Sequence, residues 1–331
     1  MLKLKYLFDN VDLAKLALAN WTFDRDTLDQ DLSMYRISAN AIYPFRQNGN
    51  ICFLRLAPTE EKLEKNLLGE LEFIQYLLSH EYPSLEPIKA LSGDVLLKLN
   101  TPWGEYYASA FRRVNGIPLE RTAMTHDILH HYGKALGKLH ALSSEFTPGI
   151  KKWSHLEALQ WIRDVLKEYN APKAAFSELD AIAFGLAALP IHKNNYGLTH
   201  YDFELDNVFY DNSSNSCWVI DFDDGMYHWF ALDIEQVFEA LADRFNEHEL
   251  ESARSTFIKA YRTEFVYPEE AEASLPLMRR FIDLYKYARL IRCVAEMGEQ
   301  EPPWMVGLRS KFGDIVKRIE LQMIEQHGKP M

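Results

Sequence analysis

The fold is decided by LTHYDFELDNVFY, residues 198–210, and the WVIDFDDG that follows at residues 218–225. Polar residues interrupt two apolar, strand-like runs in this stretch. His200, Asp202 and Asn207 fall in a non-periodic loop after an apolar start. Asn207 opens a short apolar strand, the polar turn at 211–216 reverses the chain, and Val219 and Ile220 deliver Asp221 at the end of the return. Such a hairpin brings Asn207 and Asp221 together at its base. An amide oxygen and a carboxylate make a hard, oxygen-rich site. That suits Mg²⁺, which takes few protein ligands and keeps waters and phosphate oxygens. Asp202, in the same loop, is positioned to accept a proton from an attacking hydroxyl. A base and two metal ligands are the parts phosphoryl transfer from a nucleotide requires.

The flanking sequence implies an α+β chain of two lobes. Residues 1–34 read as a short helical extension, with Leu13, Leu16 and Ala17 on one face. Residues 35–114 read as a small antiparallel sheet with one inserted helix. Strands are expected over Tyr35–Phe45, Ile51–Leu56, Val95–Leu99 and Tyr106–Phe111, and Asn48-Gly49 is a strong hairpin signal. The helix is expected to start after Pro58-Thr59 and to run through Leu67, Leu71, Ile74 and Leu78. The turn-forming run from Arg112 to Pro118 sets the lobe boundary. Residues 115–331 read as mainly helical, with helices over 126–143, 156–169, 176–189, 232–242, 249–263, 275–296 and 305–326. Short strands are expected at Gly197–Asp202, Val208–Tyr210 and Cys217–Phe222.

At this point the chain resembles a known family. The spaced set His200, Asp202, Asn207 and then Ile220, Asp221 is similar to the "HGDxHxxN … IDxxD" signature of the aminoglycoside phosphotransferase/choline kinase family. Those small-molecule kinases share the protein-kinase-like fold. The segment most resembles a bacterial branch near the homoserine kinase-like phosphotransferases. The resemblance implies ATP, with GTP an alternative, together with Mg²⁺ and a small-molecule hydroxyl acceptor. It implies Asp202 as base, and Asn207 and Asp221 as metal ligands. It puts Arg55 where such kinases carry a basic residue on the phosphates, a lysine in protein kinases. Arginine keeps that role through its permanent charge and bidentate geometry. Glu70 is implied as the carboxylate that holds Arg55. Glu72 is the competitor, and the two diverge around a helix. The hinge resemblance over Ala110–Gly116 implies that backbone groups near Phe111 and Arg112 read the adenine edge. The turn Ser38–Tyr43 resembles the nucleotide-covering loop, without its glycines. His140, His200 and Asp233 are implied to be structural, Asp233 bracing the catalytic loop. Asp223 is left between a second metal and the surface.

Composition narrows the function classes. Apolar residues make up 47% and charged residues 25% of 331 positions, ordinary for a globular chain. The 36 basic and 48 acidic residues give a net charge of −12, which argues against a general nucleic-acid or membrane-surface binder. No run approaches the roughly 20 apolar residues of a membrane span. Cys52, Cys217 and Cys293 form no metal or redox pair and are expected to be buried thiols. No secretory h-region follows the start, so a cytoplasmic location is expected.

Cues to the acceptor conflict. Glu235, Glu239, Asp243 and Glu247 form an acidic stripe that suits an amine. Tyr227, Trp229, Phe230, Tyr285, Tyr287 and Trp304 suit either a methylammonium cage or core packing. Arg279, Arg280, Arg289 and Arg292 suit a carboxylate. Amino alcohols, amino acids, sugars and aminoglycosides all remain open, as does oligomeric state. The alternative reading is a catalytically weak kinase-fold binding or scaffold protein. A protein kinase fits less well, because the glycine-rich loop is missing and the link from Asp221 to Asp233 is short.

Overall fold

The computed structural model describes residues 2–6, 9–267, 269–295 and 301–327. Two short helices come first, α1 (Val11–Leu18) and α2 (Leu28–Leu32). Asn10 caps α1 by accepting the Leu13 amide at 2.8 Å. Leu13, Ala14, Ala17 and Leu18 then share a core with Tyr43, Phe45, Cys52, Leu54 and Leu56. Helices α1 and α2 therefore form one layer of the small lobe, because their apolar faces have the sheet to cover, whereas Leu4 packs with Cys293 and Met305 far along the chain.

That sheet is built from β1 (Arg36–Ile37), β2 (Ala41–Gln47), β3 (Asn50–Pro58), β4 (Pro87–Ile88), β5 (Leu97–Thr101) and β6 (Gly104–Arg112). All pairings are antiparallel, in the order β1-β2-β3-β6-β4, with β5 also on β6. Asn48 and Gly49 make the β2–β3 turn with φ of +51° and +78°. This register sets Arg55 opposite Ser109.

The inserted helix α3 (Glu64–Ser79) starts later than expected. A 3₁₀ turn at Thr59–Glu61 comes between, and its glutamates bond elsewhere: Glu60 accepts from Tyr6 Oη and Glu61 pairs with Arg292. The buried face of α3 does not stay with the small lobe. Leu71, Phe73, Ile74 and Leu77 belong to the main core with Tyr82, Leu136 and Leu139. At Gly69 a Cβ would lie 2.7 Å from the Ile150 carbonyl oxygen. This helix therefore sits against both lobes.

The large lobe holds β7 (Ile117–Pro118), α4 (His126–Glu145), α5 (His155–Glu168), α6 (Lys173–Ala188), β8 (Tyr196–Leu198), β9 (Val208–Asp211), β10 (Ser216–Val219) and β11 (Tyr227–Trp229). Helices α7 (Ala231–Arg244), α8 (Glu247–Tyr261), α9 (Glu269–Val294) and α10 (Pro303–His327) follow. The start signals are legible: Thr125 accepts the Ile128 amide, and Ser154 with Glu157 forms a capping box on α5. The expected helix end at Glu296 lies outside the described residues.

The small sheets carry the loops of interest. β9 pairs with β10 on one side and β7 on the other, and β8 pairs with β11. Two expected strands stop short. The run from Gly197 ends at Leu198, and the run from Cys217 ends at Val219. Tyr201 and Asp221 lie at φ of +63° and +66°, outside the strand region. The polar residues beyond each strand end are thereby turned into the cleft.

The tightest helix crossing is α4 on α8. A Cβ on Gly133 would sit 2.2 Å from the Phe257 carbonyl oxygen, and one on Gly137 2.6 Å from that of Tyr261. Gly133→Ala forces the helices apart and should destabilise the protein by about 1–3 kcal/mol, the usual cost of overpacking. A denaturant melt showing no loss would mean the crossing adjusts freely.

Candidate active site

Asp233 organises the first loop from inside the core. It lies in the first turn of α7 and is fully buried. Its Oδ2 accepts the His200 amide at 2.7 Å and His140 Nε2 at 3.0 Å; its Oδ1 accepts the Tyr201 amide at 2.8 Å. Tyr201 stands where the signature has glycine, and it takes the left-handed conformation glycine would take. Asp233 holds its N–H, and Gln236 Nε2 donates to its carbonyl at 2.8 Å. Both peptide groups are thus tied, which offsets the strain of that backbone.

Both expected structural histidines are buried and bonded. His140 Nδ1 lies 2.8 Å from Tyr261 Oη, and burial lowers its pKa, so it is a neutral ring between two partners. Burial drives His200 down to about 4. Neutral His200 donates from Nε2 to the Ile220 carbonyl at 2.9 Å and accepts the Asp202 amide on Nδ1 at 3.2 Å. One imidazole therefore spans the two motif loops.

Asp202, the expected base, meets Asn207, an expected metal ligand. Asn207 Nδ2 donates to Asp202 Oδ2 at 2.8 Å and to its carbonyl at 3.0 Å. That turns the amide oxygen of Asn207 away from Asp202. The Ile220 amide donates to the Asn207 carbonyl at 3.0 Å, which brings Asp221 alongside. Burial, then Asp223 and Asp224, raise the Asp221 carboxyl to about 7, against the pull of Arg55. Burial and Asp221 raise Asp202 well above the ordinary carboxyl value.

Across the cleft, Arg55 and Glu70 form the expected pair. Both are buried, with Nη1–Oε1 at 2.7 Å and Nη2–Oε2 at 2.8 Å. Arg55 Nε donates to Ser109 Oγ at 3.2 Å, and its guanidinium lies 4.8 Å from the Phe111 ring centre. Glu72 points elsewhere and caps the amides of Gly149 and Ile150. The Phe111 side chain is core, beneath Arg55. The Arg112 amide donates to the Glu86 carbonyl and the Arg113 amide to that of Ile51, so those two donors are engaged in the sheet.

Several residues of the cleft carry no signal in the sequence. Asn40, in the turn expected to cover a nucleotide, donates to Asp223 Oδ2 at 3.0 Å. Lys62 ion-pairs with the same carboxylate. Lys152, buried between the lobes, donates to the carbonyls of Phe222 and Asp223 at 2.9 and 2.8 Å. Against the cost of burial, Lys62, Arg55 and Lys152 hold the Asp223 carboxyl well below its usual range. Asp223 is thus inside the cleft and not on the surface. Arg289 holds Asp224 at 2.7 Å. These partners come from distant segments, so no local spacing announces them.

The acceptor cues sort themselves by pairing. Arg279 bonds Glu235 and Glu239, Arg280 bonds Glu178, Arg289 bonds Asp224 and Arg292 bonds Glu61. Each of the four candidate carboxylate binders already has a carboxylate. Tyr227, Trp229, Phe230, Tyr285 and Tyr287 are buried core residues, while Trp304 is half exposed. They do not form a cage.

The donor set fits a hard cation. Among the described residues no three His, Cys, Asp or Glu side chains could hold a metal ion by themselves. One carboxylate and one amide oxygen are a set that Mg²⁺ completes with waters and phosphates. At Asp221, raised by burial and crowded by two other aspartates, a cation would relieve repulsion.

A phosphotransferase enzyme family model matches residues 44–273. The chain belongs to the phosphotransferase enzyme family. It is 23% identical over 237 residues to the amicoumacin kinase of Bacillus subtilis (strain 168), covering 70% of this chain and 68% of that one. Its fold is similar to that of a solved amicoumacin kinase in complex with AMP-PNP, Ca²⁺ and Ami. There the TM-score is 0.77 at 20% identity, over 96% of this chain and 95% of that one. A microcompartment-associated aminopropanol kinase matches with a TM-score of 0.67 at 18% identity, over 96% and 98%. A spectinomycin phosphotransferase in complex with ADP and spectinomycin matches with a TM-score of 0.56 at 14% identity, over 96% and 99%. The phosphotransferase is a small-molecule kinase with the two-lobed, protein-kinase-like α+β fold. No helix among its described residues is long and apolar enough to cross a membrane.

The buried aspartates make a stability prediction. The Asp221 carboxyl is raised in the folded state, so the fold binds more protons than the unfolded chain between about pH 4 and pH 7. Stability from this group is present below that window and lost as pH rises through it. Asp221→Asn should therefore melt higher than the parent at pH 8, with the gap closing toward pH 4. Equal melting temperatures across that range would mean the carboxylate is better compensated than its surroundings imply.

Proposed function

We propose that the phosphotransferase moves the γ-phosphoryl group of ATP to a hydroxyl of a small molecule that also carries an amine. The observation that carries the reading is the Asp202–Asn207 contact lying beside Asp221, across the cleft from the Arg55–Glu70 pair. Asp202 would accept the hydroxyl proton on a carboxylate oxygen. Asn207 holds that carboxylate in place, and its own amide oxygen joins Asp221 as the metal-facing donor. Asn207 and Asp221 would hold Mg²⁺, which would supply positive charge to offset that of the phosphates. Arg55, fixed by Glu70, would face the phosphates. The backbone of the hinge after Arg113 would face the base. Most of the rate enhancement would come from positioning and charge.

The amine is supported by charge around the catalytic loop. Burial raises the Glu204 carboxyl, and so do Asp206, Glu239 and Asp243. Asp283 is raised by burial and by Glu239. After burial and Asp221, Glu204 in turn raises the neighbouring Asp202 carboxyl, and a cationic acceptor would relieve that pair. The four paired arginines offer little to a carboxylate. An aminopropanol kinase among the structural relatives is consistent with an amino alcohol.

Mg²⁺-dependent ADP release over amino alcohols, aminoglycosides, sugars and amino acids tests the reading. An amine-bearing alcohol should give turnover, and Asp202→Asn should lower kcat by about a hundredfold or more. Full turnover in Asp202→Asn would remove Asp202 from the mechanism. Glu204→Gln should raise KM for the acceptor and leave KM for ATP unchanged. Equal activity on an N-acetylated acceptor would sink the amine requirement.

A further inference from the structure

Arg55, Lys62, Lys152 and Arg289 all surround the acidic run from Asp221 to Asp224, but their commitments differ. Arg55 gives both terminal nitrogens to Glu70 and Nε to Ser109. Arg289 is paired with Asp224, against the Tyr285 ring. Lys152 is enclosed by Gly69 and donates to two main-chain carbonyls. Those partners are parts of the fold. Lys62 is held instead by one carboxylate, Asp223, which it shares with Asn40. A divalent cation held at Asp221, two residues away in the same acidic run, would compete with Lys62 for that carboxylate.

The main chain keeps Lys62 in the cleft whatever its partner. It directly follows the 3₁₀ turn Thr59–Glu61. Glu61 is pinned to Arg292 of α9 at 2.6 Å, and Glu60 accepts from Tyr6 Oη at 2.6 Å. The turn therefore bridges the lobes opposite the hinge and aims Lys62 inward. Its side chain is only 13% exposed. An ammonium so enclosed needs an anion or acceptors at all times. Asn40, which shares Asp223 with Lys62, has a buried Oδ1 that among the described residues has no partner.

We propose that Lys62 is a second phosphate-binding cation, which exchanges its Asp223 ion pair for the terminal phosphates when metal and nucleotide bind. This rests on the nucleotide reading above. In the nucleotide-free protein the same lysine neutralises Asp223 and latches the small lobe to the large one. With a cation held at Asp221 and Asn207 offsetting the charge on Asp223, the Lys62 ammonium would be released to meet the phosphate oxygens. Arg55 then acts as the rigid phosphate contact and Lys62 as the exchangeable one.

Calorimetric titration of the full chain with Mg²⁺–AMP-PNP and with adenosine separates the possibilities. Lys62→Met should weaken Mg²⁺–AMP-PNP by about tenfold or more and leave adenosine within about twofold. Lys62→Arg should recover most of the loss. Unchanged Mg²⁺–AMP-PNP affinity in Lys62→Met overturns the proposal. So does an equal loss of adenosine affinity in a variant that still melts cooperatively, since that is a structural defect. Should Lys62→Met fail to fold, Lys62→Gln carries the same comparison. Wild type that binds adenosine without gaining affinity from phosphates and Mg²⁺ also overturns it. Wild type that binds neither ligand removes the nucleotide reading itself, a result distinguishable from either.

Discussion

Three hydrogen bonds converge on the Asp233 carboxylate, which is closed off from solvent. An isolated buried carboxylate would cost far more than any single contact returns. Two backbone amides and an imidazole N–H satisfy it, and in doing so they dictate the path of the loop at His200 and Tyr201. The positive φ of Tyr201 follows from this constraint. Asp202 leaves the loop in the direction that lets Asn207 grip it. His200 then carries the constraint on to Ile220 and so to Asp221. Removing Asp233 would release the turn that aims both aspartates.

A second constraint is charge balance across the cleft. Asp202, Asp221, Asp223 and Asp224 would repel each other strongly if left alone. Lys62, Arg55, Lys152 and Arg289 offset part of this, and they do so unevenly. Asp223 and Asp224 are held below their ordinary range, whereas Asp221 and Asp202 are pushed above it. The uncompensated pair is the one facing the reacting groups. Stability is given up at that point, as is usual where carboxylates with raised pKa values gather in a cleft. The helix α3 links this cleft to the core. Glu70 on one face holds Arg55, and the adjacent Gly69 packs on Lys152, which holds the metal-facing loop.

Much of this is legible in the chain itself. The apolar periodicity locates the long helices to within a few residues, and Asn48-Gly49 marks its hairpin. The two spaced motifs place Asp202, Asn207 and Asp221 in one site, and the family resemblance puts the partner of Arg55 at Glu70, helix geometry adding only that Glu70 and Glu72 cannot both face the cleft. Less is legible where partners are remote. Asn40 and Lys62 lie far from Asp223 in sequence, and no pattern connects them. The strand ends at Leu198 and Val219 are missed because apolar residues continue past them, while tertiary hydrogen bonds turn the backbone.

Local chemistry therefore determined which elements form and which residue types could perform phosphoryl transfer, since periodicity, turn residues and motif spacing are properties of neighbours along the chain. Tertiary structure decided the charge state of each aspartate and the partner of each arginine. It joined α1 and α2 to the small lobe, set Leu4 against Cys293 and Met305, and gave one face of α3 to the large lobe. Burial and long-range Coulomb interaction depend on which segments meet in space, and the order of residues does not record that.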